Sequence, residues 1–278
     1  MAFQKWQVGL DIQNGQLCAL GIQRRRHGWQ LRHWWRHALP HDTLSHGALQ
    51  GSPQLIALLR HWRRQLPRSV SLRVGFPSQA VLQRYLPAPV QTLREPALGR
   101  YAAAAAERLF PLASSELALD YRDVSLPQRH LCLTAARRSV LQQWLSTLKQ
   151  AGLTPDVVEL TCGALVTVGK LMRLPEDAAL IHQLSDHWLW YMPAQPEAVS
   201  GWAPGTLSME SEALAQILPG ARHLWFSASL SGETLAGMQP LQPLSLLQLM
   251  QPPLPDSSGC FTLALGLALR AEDCYECA

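Results

Sequence analysis

The chain has 278 residues, 47% of them hydrophobic and 16% charged, with a net charge of +4, a balance that excludes an intrinsically disordered chain. Its length implies two domains or one large one. No stretch reaches the roughly 18 to 20 apolar residues that a membrane-spanning helix needs. Met1 to Val8, which includes Lys5 and Gln7, has neither the apolar run nor the small-residue cleavage site of a signal peptide, so a cytoplasmic location is expected.

Three strands open the chain: Trp6 to Ile12, Gln16 to Gln23 and Trp29 to Leu39. The third alternates Trp29, Leu31, His33 and Trp35 with Gln30, Arg32, Trp34 and Arg36, which is the period of a strand. The turn residues Gln13-Asn14-Gly15 and the basic run ending in His27-Gly28 join these strands into two successive hairpins. Residues 1–76 hold eleven Lys and Arg against two acids, Asp11 and Asp42, a charge of +9 that leaves −5 for the rest. Such a segment is either a solvated face or a surface for anionic lipid headgroups or nucleic acid. His33, His37, His41 and His46 lie in the same stretch without Cys or acidic company, and are expected at the surface.

A helix begins at Ser52-Pro53, with Ser as N-cap and Pro at the first helical position, and Leu55, Leu58, Leu59 and Trp62 share its apolar side. Ser69 to Phe76 reads as a strand stopped by Pro77. Residues 78–136 form a compact α+β pattern: strand Val81 to Leu86, helix Thr92 to Leu109, and strands Leu117 to Val124 and His130 to Ala135. The helix Arg137 to Gln150 turns Val140, Leu141, Trp144, Leu145 and Leu148 inward and is stopped at Ala151-Gly152. Strand Val157 to Leu160 and helix Cys162 to Met172 complete the first half.

The second half opens with strands Ala178 to Leu184 and Trp188 to Met192 around a tight Ser185-Asp186-His187 turn. A loop, a helix around Ser211 to Ile217, a strand Leu224 to Ser227, a Pro-rich loop from Gln239 to Asp256 and a helix Gly259 to Arg270 follow. No repeat is visible in the sequence. The six cysteines are scattered and imply no disulfide framework; Cys274 and Cys277 are a single pair without a second pair at zinc spacing. Ser227 to Gly232 does not have the Gly-x-Ser-x-Gly pattern of a nucleophile elbow.

Taken in order, several segments resemble the PilM/HofM family of type IV pilus assembly proteins, whose fold is actin-like in the manner of FtsA. They are Val8-Gly9-Leu10-Asp11-Ile12, Val74 to Ser78 with Gln83 to Pro87, Glu107 to Leu112 with Leu119 to Tyr121, Thr134 to Arg137 with Gln150 to Pro155, and Ala264 to Arg270. The short second half and the Trp6-Gln7-Val8-Gly9-Leu10 opening are most similar to the HofM branch, linked to DNA utilisation. The resemblance implies a mixed α/β, two-lobed fold: a first subdomain from 1–77 and 137–177, an inserted α+β subdomain at 78–136, and a trimmed second lobe at 178–278.

It also implies a vestigial nucleotide site at Asp11, Gln13, Asn14, Gly15 and Gly266. Phosphate binding in this fold needs close backbone approach through glycine and small hydroxylated residues in two facing hairpins. Gln13 stands where the family has glycine after the aspartate, and Cys18 where it often has lysine. His182-Gln183-Leu184-Ser185 replaces the second Asp-x-Gly, and Ser227-Ala228-Ser229 replaces a Gly-Gly turn. ATP and magnesium are therefore not expected as cofactors, and the chain reads as a non-catalytic scaffold. Its implied partner is a bitopic, PilN/HofN-like membrane protein, whose N-terminal cytoplasmic peptide would enter a groove beside the Val81 to Leu86 strand and the Ala97 to Ala105 helix. Arg84, Tyr85, Arg100 and Tyr101 are the candidate groove residues. The rival readings are an ATPase of the same fold and a basic nucleic-acid binder; no helix-turn-helix or zinc pattern supports the latter. The cytoplasmic part of a GspL-like secretion protein is a near neighbour, but such a chain continues into a membrane span and this one ends.

Overall fold

The computed structural model describes residues 5–89, 93–125, 129–193, 199–205, 214, 216–230 and 237–271. In chain order, β1 (Trp6–Gln13), β2 (Gln16–Arg25) and β3 (Gly28–Ala38) form the expected meander, and a two-residue strand pair, β4 (Leu44–Ser45) and β5 (Ala48–Leu49), precedes helix α1 (Pro53–Arg63) and β6 (Val70–Phe76). Gly15 takes φ +85° in the first turn, the left-handed region that an Asn-Gly hairpin demands. At the start of α1 the Ser52 side chain accepts a hydrogen bond from Leu55 N, and Leu55, Leu59 and Trp62 are buried.

The inserted segment contains β7 (Val81–Pro87), α2 (Ala97–Leu109), β8 (Leu117–Ser125) and β9 (Arg129–Arg137), a three-stranded sheet in the order β7-β9-β8. Helix α2 starts at Ala97, not in the Thr92 region; Thr92 itself lies outside the described residues. Pro96 accounts for the late start, since proline cannot donate inside a helix and disfavours helical geometry in the residue before it. Then come α3 (Arg138–Gln150), β10 (Val157–Leu160) and α4 (Thr161–Leu171). On α3, Trp144, Thr147 and Leu148 are buried, whereas Leu145, expected inward, is 38% exposed.

The second half has β11 (Ala178–Gln183), β12 (His187–Tyr191), β13 (Ser200–Pro204), β14 (His223–Ala228), β15 (Gln239–Pro240) and α5 (Thr262–Leu269). Strand β13 occupies a stretch that reads as loop in the sequence. Of the helix expected near Ser211 to Ile217, positions 211–213 and 215 lie outside the described residues, while Leu214, Gln216 and Ile217 are helical. The Cys274/Cys277 pair also lies outside them; the four described cysteines are free and buried.

The two large sheets have one plan. The first runs β10-β6-β1-β2-β3 and the second β15-β14-β11-β12-β13. In each, the leading strand pairs antiparallel with its hairpin partner and parallel with the strand on its other side. The sequence shows no repeat, yet the topology is duplicated, because strand order and polarity require a pattern of apolar alternation and not identical residues.

Helices α4 and α5 pack together between the sheets, α5 against β1, β2 and β6 and α4 against β12. Every residue of α5 is buried. Two glycines permit this closeness: a Cβ on Gly9 would lie 1.9 Å from the Ala264 carbonyl oxygen, and one on Gly266 would lie 2.1 Å from that of Ala164. At the C-terminal end of α5, Nη1 of the fully buried Arg73 donates to the carbonyls of Ala268, at 2.5 Å, and Arg270, at 2.7 Å. A cation there complements the helix dipole. Arg73 is therefore not part of the basic surface on which the charge count of residues 1–76 placed it.

Candidate functional site

The duplicated topology brings the β1–β2 turn and the β11–β12 turn face to face, and side chains from the two turns bond to each other. Asn14 Nδ2 donates to Asp186 Oδ2 at 3.1 Å, and Ser185 Oγ donates to the Asn14 carbonyl at 3.0 Å. Asn14 Oδ1 accepts from Leu44 N at 2.8 Å, which fixes the amide's orientation. Asp186 Oδ1 also lies 2.6 Å from His187 Nδ1, a contact that holds the Asp186 carboxyl below its ordinary range.

Asp11 is buried immediately below, and Gln13 Nε2 donates to its Oδ1 at 2.7 Å. Burial raises the Asp11 pKa to about 6, although the Gln13 hydrogen bond and the nearby His187 both pull it down. A buried carboxyl with one oxygen bonded to its own chain's amide has that oxygen already engaged, which disfavours it as a ligand for magnesium. Among the described residues no group of three or more His, Cys, Asp or Glu side chains could hold a metal ion.

In the second sheet, the buried His182 lies between two serines, with Nδ1 2.8 Å from Ser227 Oγ and Nε2 3.2 Å from Ser229 Oγ. Desolvation lowers its pKa to about 3, so the ring is neutral at physiological pH. The hydroxyls that a phosphate would need at this position are thus engaged by a histidine. Taken together, these residues do not fit a magnesium–nucleotide: the groups that would face it are bonded to one another. Gly266 lies against Ala164, where its role is helix packing.

The inserted sheet offers a different surface. Helix α2 covers one of its faces, with Ala102 and Ala106 packed on Leu131, Leu133 and Leu117. The strand registers place Tyr85, Cys132 and Arg122 in one row of the opposite face, and Gln83, Thr134 and Asp120 in the next. Gln83 Nε2 donates to Thr134 Oγ1 at 3.1 Å. This face turns toward the first sheet: Arg122 Nη1 lies 3.1 Å from Glu159 Oε2 on β10, and Glu159 is also paired with the buried Arg270. Strand β7 is the edge of the sheet, and Tyr85 on it is 48% exposed.

The four groove candidates fall on two sides of this sheet. Tyr85 is on the face toward the first subdomain; Arg84, adjacent to it in the strand, points to the α2 side. Arg100 and Tyr101 are exposed on α2 itself. The structure does not bring Tyr85 together with the other three. Gln83, Thr134 and Arg122, which share a face with Tyr85, are not among the candidates, although the period of two through Gln83 and Tyr85 carried the signal. The sequence marks His182 only as a replaced aspartate and His187 only as a turn residue, and both are buried; His33, expected at the surface, is half-buried and accepts from Trp62 Nε1 at 3.1 Å.

Residues 9–179, more than half of the chain, match the family of type IV pilus assembly protein PilM. The chain is 29% identical over 272 residues to the DNA utilization protein HofM of Escherichia coli strain K12, an alignment covering 97% of this chain and 98% of that one. Among solved structures it is similar to the PilM–PilN type IV pilus biogenesis complex, with a TM-score of 0.69 at 17% identity over 94% of this chain and 97% of that chain. It is also similar to the cytoplasmic domain of EpsL, an inner membrane component of the type II secretion system of Vibrio cholerae, with a TM-score of 0.55 at 12% identity over 95% of both chains. At these identities the two structures establish the shared fold.

Proposed function

The chain belongs to the PilM family of type IV pilus assembly proteins, and from that membership we propose that it is a non-catalytic scaffold that binds the N-terminal cytoplasmic peptide of a PilN/HofN-like membrane protein. The observation that carries this reading is the bond between the two hairpin turns, Asn14 to Asp186, where the fold would otherwise hold a nucleotide phosphate. Complex formation with PilN by a structurally similar PilM, and the similarity to HofM, support the partner class.

The docking site is the cleft between the first subdomain, 1–77 with 137–177, and the inserted subdomain, 78–136; the trimmed second lobe is 178–278. An extended peptide would pair with the free edge of β7 and set its side chains against Tyr85, Gln83 and Thr134. Arg84, Arg100 and Tyr101 flank the other side of the sheet. The location that follows is the cytoplasmic face of the inner membrane, beside the partner; no helix among the described residues is long and apolar enough to cross a membrane.

The test is fluorescence anisotropy of the labelled N-terminal peptide of the candidate neighbour. Saturable binding in the micromolar range, unchanged by added Mg-ATP, is the expected result. Absence of saturation with peptide, or binding only when Mg-ATP is present, would overturn the reading.

A further inference from the structure

Residues 1–76 carry a net charge of +9, but the structure withdraws Arg73 from the surface and ties other cations to backbone carbonyls. Arg73 is buried, the half-buried Arg63 donates to the carbonyls of Leu66, Pro67 and Arg68, and Arg60, though exposed, donates to that of Gln150. Among the exposed cations of this segment, Arg24, Arg25, Arg26 and Arg32 cluster at one corner, the β2–β3 hairpin and the outer edge of β3. None of them pairs with a carboxylate among the described residues. Two are held on indole rings, Arg24 5.2 Å from the Trp29 ring centre and Arg32 5.3 Å from that of Trp6, which fixes the guanidinium groups without neutralising them.

The loop 248–254 is bound to this same corner. Gln248 N and Leu249 N donate to the Trp29 carbonyl, Leu31 N donates to the Leu249 carbonyl at 2.9 Å, and Trp34 Nε1 donates to the Pro253 carbonyl at 2.9 Å. Gly28 permits the contact, because a Cβ there would lie 2.1 Å from Gln248 Oε1. The loop thereby presents three exposed apolar side chains beside the arginines: Leu249, 39% exposed, Met250, 37%, and Leu254, 41%. Between loop and strand is an open cleft of about 480 Å3, lined by Arg32, His33, Trp34, Pro252 and Pro253.

We propose that this corner is a peripheral membrane-binding surface for anionic phospholipid, in which Arg24, Arg25, Arg26 and Arg32 meet headgroup phosphates and Leu249, Met250 and Leu254 enter the interfacial layer. Guanidinium groups without a carboxylate partner, two of them hydrogen-bonded to the Gln30 amide oxygen, would by themselves suit any polyanion. Exposed aliphatic side chains beside them, with Trp29 and Trp34 at the border, select the bilayer interface over a nucleic acid, which offers such side chains no apolar contact on its phosphate backbone. The surface is separate from the β7 cleft, so the proposal stands or falls independently of peptide binding.

The test is co-sedimentation of the purified protein with vesicles of phosphatidylglycerol and phosphatidylethanolamine, compared with vesicles of phosphatidylcholine alone, over a range of salt. Each basic residue near an anionic surface contributes about a fivefold gain in partitioning. The triple reversal Arg24→Glu, Arg25→Glu, Arg26→Glu should therefore reduce binding to the anionic vesicles by about a hundredfold or more while leaving peptide affinity and thermal melting unchanged. Leu249→Ser with Met250→Ser, which keeps every charge, should reduce it several-fold and also diminish the part that survives high salt. Equal binding to both vesicle types, no sedimentation of the wild type, undiminished binding by either variant, or retention on a duplex oligonucleotide in place of vesicles would each overturn the proposal.

Discussion

Asn14 in the first hairpin turn and Asp186 in the second are joined by a 3.1 Å hydrogen bond although 172 positions separate them in the chain. A double-mutant cycle between Asn14→Ala and Asp186→Ala should give a coupling of about 0.5 to 1 kcal/mol by urea denaturation, the range for a partly exposed side-chain hydrogen bond. Asn14→Ala alone should cost about 1 to 2 kcal/mol, because it also strands the Leu44 amide. Strict additivity of the two substitutions would mean that these two side chains do not hold each other, leaving only the Ser185 hydroxyl bond to the Asn14 carbonyl between the turns.

The pH dependence of stability separates the two buried titrating groups. Asp11 ionises near 3.8 when unfolded and near 6 when folded, so its contribution is fully present below pH 3.8 and is lost as pH rises to about 6. The loss is on the order of 3 kcal/mol. Asp11→Asn, which keeps an acceptor for Gln13, should therefore be more stable than wild type at pH 8, with the gain disappearing by pH 4. A constant difference across that range would show that Asp11 is not desolvated.

His182 acts in the opposite direction. Its pKa is 6.5 unfolded and about 3 folded, so folding excludes a proton that the unfolded chain takes up, and stability falls as pH drops from 6.5 toward 3. The slope from this residue approaches about 1.4 kcal/mol per pH unit within that window. Thermal melts of His182→Asn should lack this acid-side slope at the expense of stability at neutral pH, where the two serine contacts are weakened.

Gly266 distinguishes a packing role from a phosphate role. Gly266→Ala should destabilise the protein by about 1 to 3 kcal/mol or more, as overpacking does, because the new methyl meets the Ala164 carbonyl, which is backbone and cannot rotate away. A midpoint in urea within error of wild type would contradict the close approach of α4 and α5.

Tyr85 and Arg84 are adjacent in sequence and opposite in direction, so substitution at the two should differ. Tyr85→Ala should weaken partner peptide binding about tenfold, near 1.4 kcal/mol, and Arg84→Ala by less than about threefold. The reverse order would move the docking site to the α2 side of the inserted sheet.

The sequence made the strands legible where local signals agree: the alternation through Trp29 to Trp35, the Asn14-Gly15 turn, and the Ser52-Pro53 start of α1. It misplaced elements where one local signal opposed another. The alanine run of α2 suggested an earlier start than Pro96 permits, and Gly201 with Pro204 disguised β13, which is a strand by virtue of pairing with β12. The closed hairpin contact could not be read at all, because Gln13 and His182 registered only as missing glycine and aspartate. What they do instead, bonding Asp11 and two serines, depends on partners brought close by the duplicated sheets. Likewise, the basic run predicted a charged face, but the sequence alone did not show that Arg73 is buried against the end of α5.

Under the proposed function, Asn14, Asp186, Asp11 and His182 are bonded within the chain where a nucleotide would otherwise lie, and the inserted subdomain receives a peptide. Isothermal titration calorimetry of the one protein with Mg-ATP and, separately, with the N-terminal peptide of a PilN-like membrane protein tests it most directly. The account predicts micromolar binding of the peptide and no saturable heat with Mg-ATP; saturable Mg-ATP binding without peptide binding would contradict it.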